Sequence, residues 1–177
     1  MALFTGKGDG GTTKAIDSKG RISKASPLPE ALGTLDELNA FLGFVKMRSD
    51  NSPRIKEILR DTQEKLFIVQ AELAGSDKRL PEGTVQEVEK IVHTIETEIP
   101  PLKGFSIAGG TELSALLDVA RTTARRAERR ATSVCDEGLR ELSTETKAYL
   151  NRLSSLLFAL ARLANHTAGV EEENPKY

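Results

Sequence analysis

Nine residues near the start of the chain, Thr5 to Thr13, read TGKGDGGTT and are the first group equipped for chemistry. Glycines at 6, 8, 10 and 11 let backbone amides approach an anion closely, threonines add hydroxyl donors, and Lys7 adds a cation. Phosphate suits such a loop; a plain N-terminal turn is the alternative its composition leaves open. Two familiar phosphate signatures are excluded. Gly6, Gly8 and Gly11 satisfy GxGxxG, but no strand-length segment precedes them and no helical pattern opens at Gly11, so no dinucleotide-binding βαβ unit fits. No GK[ST] follows the loop, which rules out a Walker A motif.

The second group lies at residues 120–131, ARTTARRAERRA. At the helical step, Arg121, Arg125 and Glu128 fall within about 60° of arc, with Arg129 just beyond and Arg126 and Arg130 turned toward solvent. Leu113, Ala120, Ala124 and Ala127 form an apolar stripe beside them. A solvated salt-bridge face is the ordinary meaning of such a run. Here five arginines stand against the single Glu128, so the helix cannot neutralise them alone. An anion from another helix, another chain or a ligand must meet them. ATP carries about four negative charges, and guanidinium forks match its phosphate oxygens.

Little else suggests side-chain catalysis. His93 and His166 are far apart in sequence and read as surface residues, Cys135 as a small passive side chain. No Ser-His-Asp or Cys-His set stands out, and no set of metal ligands.

Five helices are expected to position the two groups. The first spans about 29–48, with Leu32, Leu35, Leu38, Leu42 and Val45 at three- and four-residue steps. The second starts at Ser52-Pro53, carries Ile55, Leu59, Thr62, Leu66, Val69 and Leu73, and ends at Gly75. The third opens on Thr84-Val-Gln-Glu87, which reads as a capping box, and stops at Pro100-Pro101. The fourth follows Gly109-Gly110 to about Thr132. The fifth covers about 143–165, with Leu150, Leu153, Leu157 and Leu160 on one side. Helices of this length run about 30 Å and pack side by side, so the expected fold class is all-α, a five-helix bundle with an ordered Gly-rich N-terminal loop.

A chain of 177 residues is expected to form one domain: a nucleotide-binding loop segment at 1–27 (loop rather than strand pair), helices over 28–165, and a flexible polar tail at 166–177. Lys plus Arg number 25 against 26 Asp plus Glu. That balance argues against general nucleic-acid or membrane binding and makes any basic site local. One cysteine and the absence of signal-peptide and membrane-span patterns fit a cytoplasmic protein. A nucleic-acid or polyphosphate module built on the arginine helix, and a purely structural bundle, are the competing readings. Scarce aromatic platforms oppose the first, and the TGKGDGGTT loop opposes the second.

Taken together, these pieces resemble the PduO-type ATP:cob(I)alamin adenosyltransferases. Six motifs occur in family order: TGKGDGGTT at 5–13, RISK at 21–24, GTLDELNAFLG at 33–43, FSIAGG at 105–110, RRAERR at 125–130 and LNRLSSLLFALAR at 150–162. The resemblance implies a homotrimer with sites between neighbouring subunits. It implies that Thr5, Gly6, Lys7, Gly8, Asp9 and Thr13 line the triphosphate, with Lys24 adding a cation. Arg125, Arg126, Glu128, Arg129 and Asn151 complete the ATP site from the adjacent subunit. Asp36 corresponds to the aspartate that pairs across the interface with Arg121, and Phe105 to the aromatic closing the lower axial face of the corrin. One departure is Ala108, where the family usually has proline in FxxPGG.

The implied reaction transfers the 5′-deoxyadenosyl group of ATP to cob(I)alamin, giving adenosylcobalamin and triphosphate, with Mg²⁺ accompanying the nucleotide. Cobalt(I) is itself the nucleophile, which agrees with the lack of a general-base constellation. The resemblance also implies two partners, a cob(II)alamin reductase and an adenosylcobalamin-dependent enzyme.

Overall fold

The computed structural model describes residues 3–16, 20–102 and 104–177; positions 1–2, 17–19 and 103 lie outside the described residues. The elements in order are β1 (Thr12–Thr13), β2 (Ile22–Ser23), α1 (Pro27–Met47), α2 (Pro53–Leu73), α3 (Thr84–Glu98), α4 (Glu112–Asp136) and α5 (Thr144–Thr167). The expected helices are all present. The N-terminal segment, however, does contain a strand pair: Thr12 pairs with Ser23 and Thr13 with Ile22, antiparallel. Two-residue strands are too short to show period-2 alternation, so the sequence carries no hydropathy signal for them. Arg21 fastens the pair, its Nε donating to Thr12 Oγ1 at 2.8 Å and its Nη2 to the Thr12 carbonyl at 2.6 Å.

The leucine stripes become the core. Leu35, Leu38 and Leu42 of α1, Leu59 and Leu66 of α2, and Leu153 and Leu157 of α5 are fully enclosed. Each such side chain contributes about 1.5–3 kcal/mol of burial. Along α4 the buried stripe is Ala120, Ala124, Ala127 and Ala131. Small side chains at three- and four-residue steps let α4 pack closely, and it lies most extensively against α5 and then α1. α3 covers α5, and α2 covers α1.

The helix ends show where local reasoning succeeds and fails. α2 begins with proline in the first turn, as expected, and α1 does the same. The capping box at α3 does not form. Gly83, at φ 89°, is the N-cap, and Thr84 lies inside the helix with its hydroxyl donated to the Pro81 carbonyl at 2.7 Å. Glu87 turns to Lys65, while Glu145 of α5 accepts from the Val85 amide at 2.9 Å. A long-range carboxylate thus caps α3. At α5, Ser143 is the cap, and the buried Glu72 accepts from the Ser143 amide at 2.6 Å and the Thr146 hydroxyl at 2.6 Å. Arg79 reaches the same carboxylate at 3.3 Å.

The start of α4 is tied to the end of α5 by Asn165. Its Oδ1 accepts from the Thr111 amide at 2.9 Å, and its Nδ2 donates to the Gly109 carbonyl at 2.9 Å. Gly110 sits at φ 99°, and a Cβ there would come within 2.6 Å of Asn165. Only glycine fits. The paired glycines of FSIAGG are therefore required by backbone shape before any ligand is considered. Residues after α5, expected to be a flexible tail, run back along this loop: the Ile107 amide donates to the Glu173 carbonyl at 2.8 Å.

Candidate active site

Two adjoining cavities lie over α4 and α5. One, of about 430 Å³, is lined by Arg125, Glu128, Arg129 and Asn151, with Ser133 and Asp136 at its rim. The other, of about 620 Å³, is lined by Phe105, Arg121, Arg125, Ser154, Ser155 and Phe158. Arg125 belongs to both. Each volume lies in the range of small-molecule sites.

The arginines sort by partner. Arg121 Nε donates to Asp118 of its own helix at 2.9 Å, and its guanidinium lies 5.8 Å from the centre of the Phe158 ring. Arg126 donates Nη2 to both oxygens of Glu37 on α1 at 2.7 Å, and Arg130 approaches Glu30 at 3.5 Å. Both stay exposed, as the helical spacing predicts, yet each is paired with a carboxylate of α1. Carboxylates 89 and 100 positions earlier in the chain hold them against α1, and Arg126 lines neither cavity. Arg125 and Arg129 make no hydrogen bond or ion pair among the described residues, and both line the first cavity. Both guanidiniums are exposed and carry no carboxylate partner, so their forks are free to receive an anionic ligand. Glu128 accepts from Asn151 Nδ2 at 2.9 Å, which fixes the amide beside them.

The glycine loop is shaped by its own backbone. The Asp9 amide donates to the Gly6 carbonyl at 3.2 Å, and the Gly11 amide to the Gly8 carbonyl at 3.1 Å. Gly6 and Gly11 have φ of 67° and 76°. The Lys7 amide leans on Thr5 Oγ1 at 3.4 Å, and Thr13 sits in β1. Lys24 is brought to the loop: its amide donates to the Gly11 carbonyl at 2.9 Å, and a Cβ on Gly8 would meet its Nζ at 3.1 Å. The ammonium groups of Lys7 and Lys24 have no carboxylate partner among the described residues. None of Thr5 to Thr13 lines the two arginine cavities. Asp36 is exposed on α1 and makes no ion pair among the described residues.

Sequence reasoning missed Ser154, Ser155 and Phe158. The signal was there. Asn151, Ser154, Ser155 and Phe158 fall at i, i+3, i+4 and i+7, one stripe of α5 interrupting its leucines. Phe105 projects from the loop before α4, 78% exposed, at the edge of the second cavity. Among the described residues no three His, Cys, Asp or Glu side chains are grouped to hold a metal ion.

The sequence and the fold match known proteins. The model of the cobalamin adenosyltransferase family covers residues 3–164. The chain is 41% identical over 181 residues to the corrinoid adenosyltransferase PduO of Citrobacter freundii, covering 95% of this chain but 51% of that protein, so it spans about half of that relative. It is 36% identical over 177 residues to the corrinoid adenosyltransferase of Bacillus subtilis, covering 96% of this chain and 90% of that one. A variant PduO-type ATP:corrinoid adenosyltransferase from Lactobacillus reuteri, complexed with cobalamin and ATP, superposes with a TM-score of 0.92 at 28% identity, covering 99% of this chain and 97% of that one. The chain is thus a transferase on a five-helix bundle, and it belongs to the cobalamin adenosyltransferase family. Within that family it is of the PduO type.

Proposed function

We propose that the chain transfers the 5′-deoxyadenosyl group of ATP to cob(I)alamin, releasing adenosylcobalamin and triphosphate. Arg125 and Arg129, unpaired beside Asn151, are the observation that carries this reading. The Co(I) electron pair attacks C5′ of ATP, the C5′–O5′ bond breaks, and triphosphate leaves with that bond's electrons. No proton moves, so the protein's work is alignment and stabilisation of charge on the leaving group. Arg125 and Arg129 serve the second task from α4. Thr5, Gly6, Lys7, Gly8, Asp9, Thr13 and Lys24 serve it from the loop. Phe105 and Phe158 give the second cavity the apolar wall that favours a four-coordinate cobalt.

The loop and the arginines share no cavity within one chain, which supports a site completed by a neighbouring subunit. A homotrimer is the assembly proposed. Asp36, exposed and unpaired, is available to Arg121 of the adjacent copy, where it would share the guanidinium with Asp118. Mg²⁺ accompanies the triphosphate in this proposal, and no step is routed through a protein ligand to it. A cob(II)alamin reductase upstream and an adenosylcobalamin-dependent enzyme downstream complete the proposal, with cytoplasmic residence.

Anaerobic incubation with ATP, Mg²⁺ and chemically reduced cobalamin tests the activity spectroscopically. Adenosylcobalamin should accumulate; none above an enzyme-free control overturns the assignment. Light scattering should give three times the 19.3 kDa chain mass.

A further inference from the structure

Phe105 is too exposed for packing to fix its ring. Its backbone is held instead, and from one direction. Asn174 Nδ2 donates to the Phe105 carbonyl at 2.7 Å, and the Ile107 amide donates to the Glu173 carbonyl at 2.8 Å. Arg162, a buried guanidinium on α5, donates Nη2 to the Pro100 carbonyl at 2.7 Å and Nε to the Glu172 carboxylate at 2.8 and 3.1 Å. Three successive tail residues are thus tied to the segment 100–107 or to its anchor, on both sides of Phe105. Gly104 adds closeness, since a Cβ there would lie 3.6 Å from Asn174 Nδ2. The family match ends at residue 164, so this strap lies beyond it.

We propose that Glu172, Glu173 and Asn174, anchored through Arg162, are the positioning element for Phe105. They hold the loop backbone so that the ring stays at the cavity shared with Arg121, Arg125 and Phe158. The strap acts on the corrin side only, because none of its residues lines the Arg125–Asn151 cavity. The proposal rests on reading Phe105 as the aromatic against the lower face of the corrin.

The test compares the intact protein with Phe105→Ala, Asn174→Asp and a chain ended after Val170. Asn174→Asp keeps the shape of an exposed side chain and removes its donor. In the free protein, ending the chain should speed amide exchange at Ile107 at least about tenfold, because its acceptor is gone. With ATP saturating, electron paramagnetic resonance of bound cob(II)alamin should show the four-coordinate fraction falling toward the Phe105→Ala value. Turnover should drop about tenfold for the shortened chain and about threefold for Asn174→Asp, with KM for ATP within about twofold. If Phe105→Ala loses the four-coordinate signal while both strap variants keep it, the strap does not position Phe105. If Phe105→Ala itself keeps the signal, the reading of Phe105 fails and the strap proposal falls with it. Should the shortened chain melt early, Asn174→Asp decides.

Discussion

The loop Thr5–Thr13 and helix α4 both look like anion binders, yet they are built by opposite means. In the loop the donors are backbone amides, set by turns at Gly6 and Gly8 and steadied by a strand pair that Arg21 fastens. In α4 they are long side chains, and three of the five arginines are already consumed by Asp118, Glu37 and Glu30. Shape comes cheaply to a backbone loop, whereas a helix must be sorted by its neighbours. Carboxylates on α1 and α4 do that sorting, and what they leave unpaired, Arg125 and Arg129, marks the cavity.

The contrast can be broken most directly at Arg125. Arg125→Ala should lower kcat/KM by about a hundredfold or more while the melting temperature stays within about 2 °C, since the guanidinium supports no internal pair. An equal loss of stability and activity would return it to a structural role. Lys24→Ala should cost about tenfold in kcat/KM, less because the loop amides remain. A change below twofold would leave the loop without its second cation's role. Arg126→Ala sharpens the comparison from the other side: activity should hold within about twofold, and stability should fall by less than about 1 kcal/mol, because the Glu37 pair is largely solvent-exposed. A large activity loss there would mean the sorting has been misjudged.

The smallest effect lies in the core, where α5 meets α2. The Tyr149 hydroxyl is buried without a hydrogen-bond partner. Burial pushes its pKa up and the Asp61 charge adds to the rise; Thr62 opposes it, but that hydroxyl is donated to the Ile58 carbonyl. A pKa raised in the folded state means stability is full below the ordinary tyrosine value, near 10, and falls as pH rises past it. Tyr149→Phe should flatten that alkaline loss in denaturant titrations and add up to about 1 kcal/mol at neutral pH by removing the orphan group.

Much of this molecule was legible in the sequence. The leucine stripes placed α1, α2 and α5, because periodic burial is a local signal that tertiary packing only completes, while Pro100-Pro101 and Gly109-Gly110 bounded α3 and α4. The loop and the arginine run were legible as chemistry for the same reason. What escaped was non-local. Thr84 and Glu87 fit a capping box on paper, but Gly83 already supplied a left-handed turn and Glu145, 60 residues on, took the amide. Arg126 was placed with the ATP-site arginines because its partner, Glu37, lies on another helix and leaves no local sign in the sequence. The Asn151 to Phe158 stripe was overlooked although its spacing was visible, since the leucines around it dominated the pattern.

Glu72 has a consequence for how this chain could vary. Its single carboxylate receives Arg79 from the segment after α2 and Ser143 and Thr146 from the start of α5. Two connections far apart in sequence therefore converge on one side chain. Their lengths are not independent: an insertion that shifts Ser143 strands an acceptor that Arg79 alone cannot satisfy. Inserted tags or loop grafts should be tolerated near Gly138, upstream of that junction, and rejected between Glu141 and Ser143. A library of insertions across 137–143 would map the junction as a sharp edge.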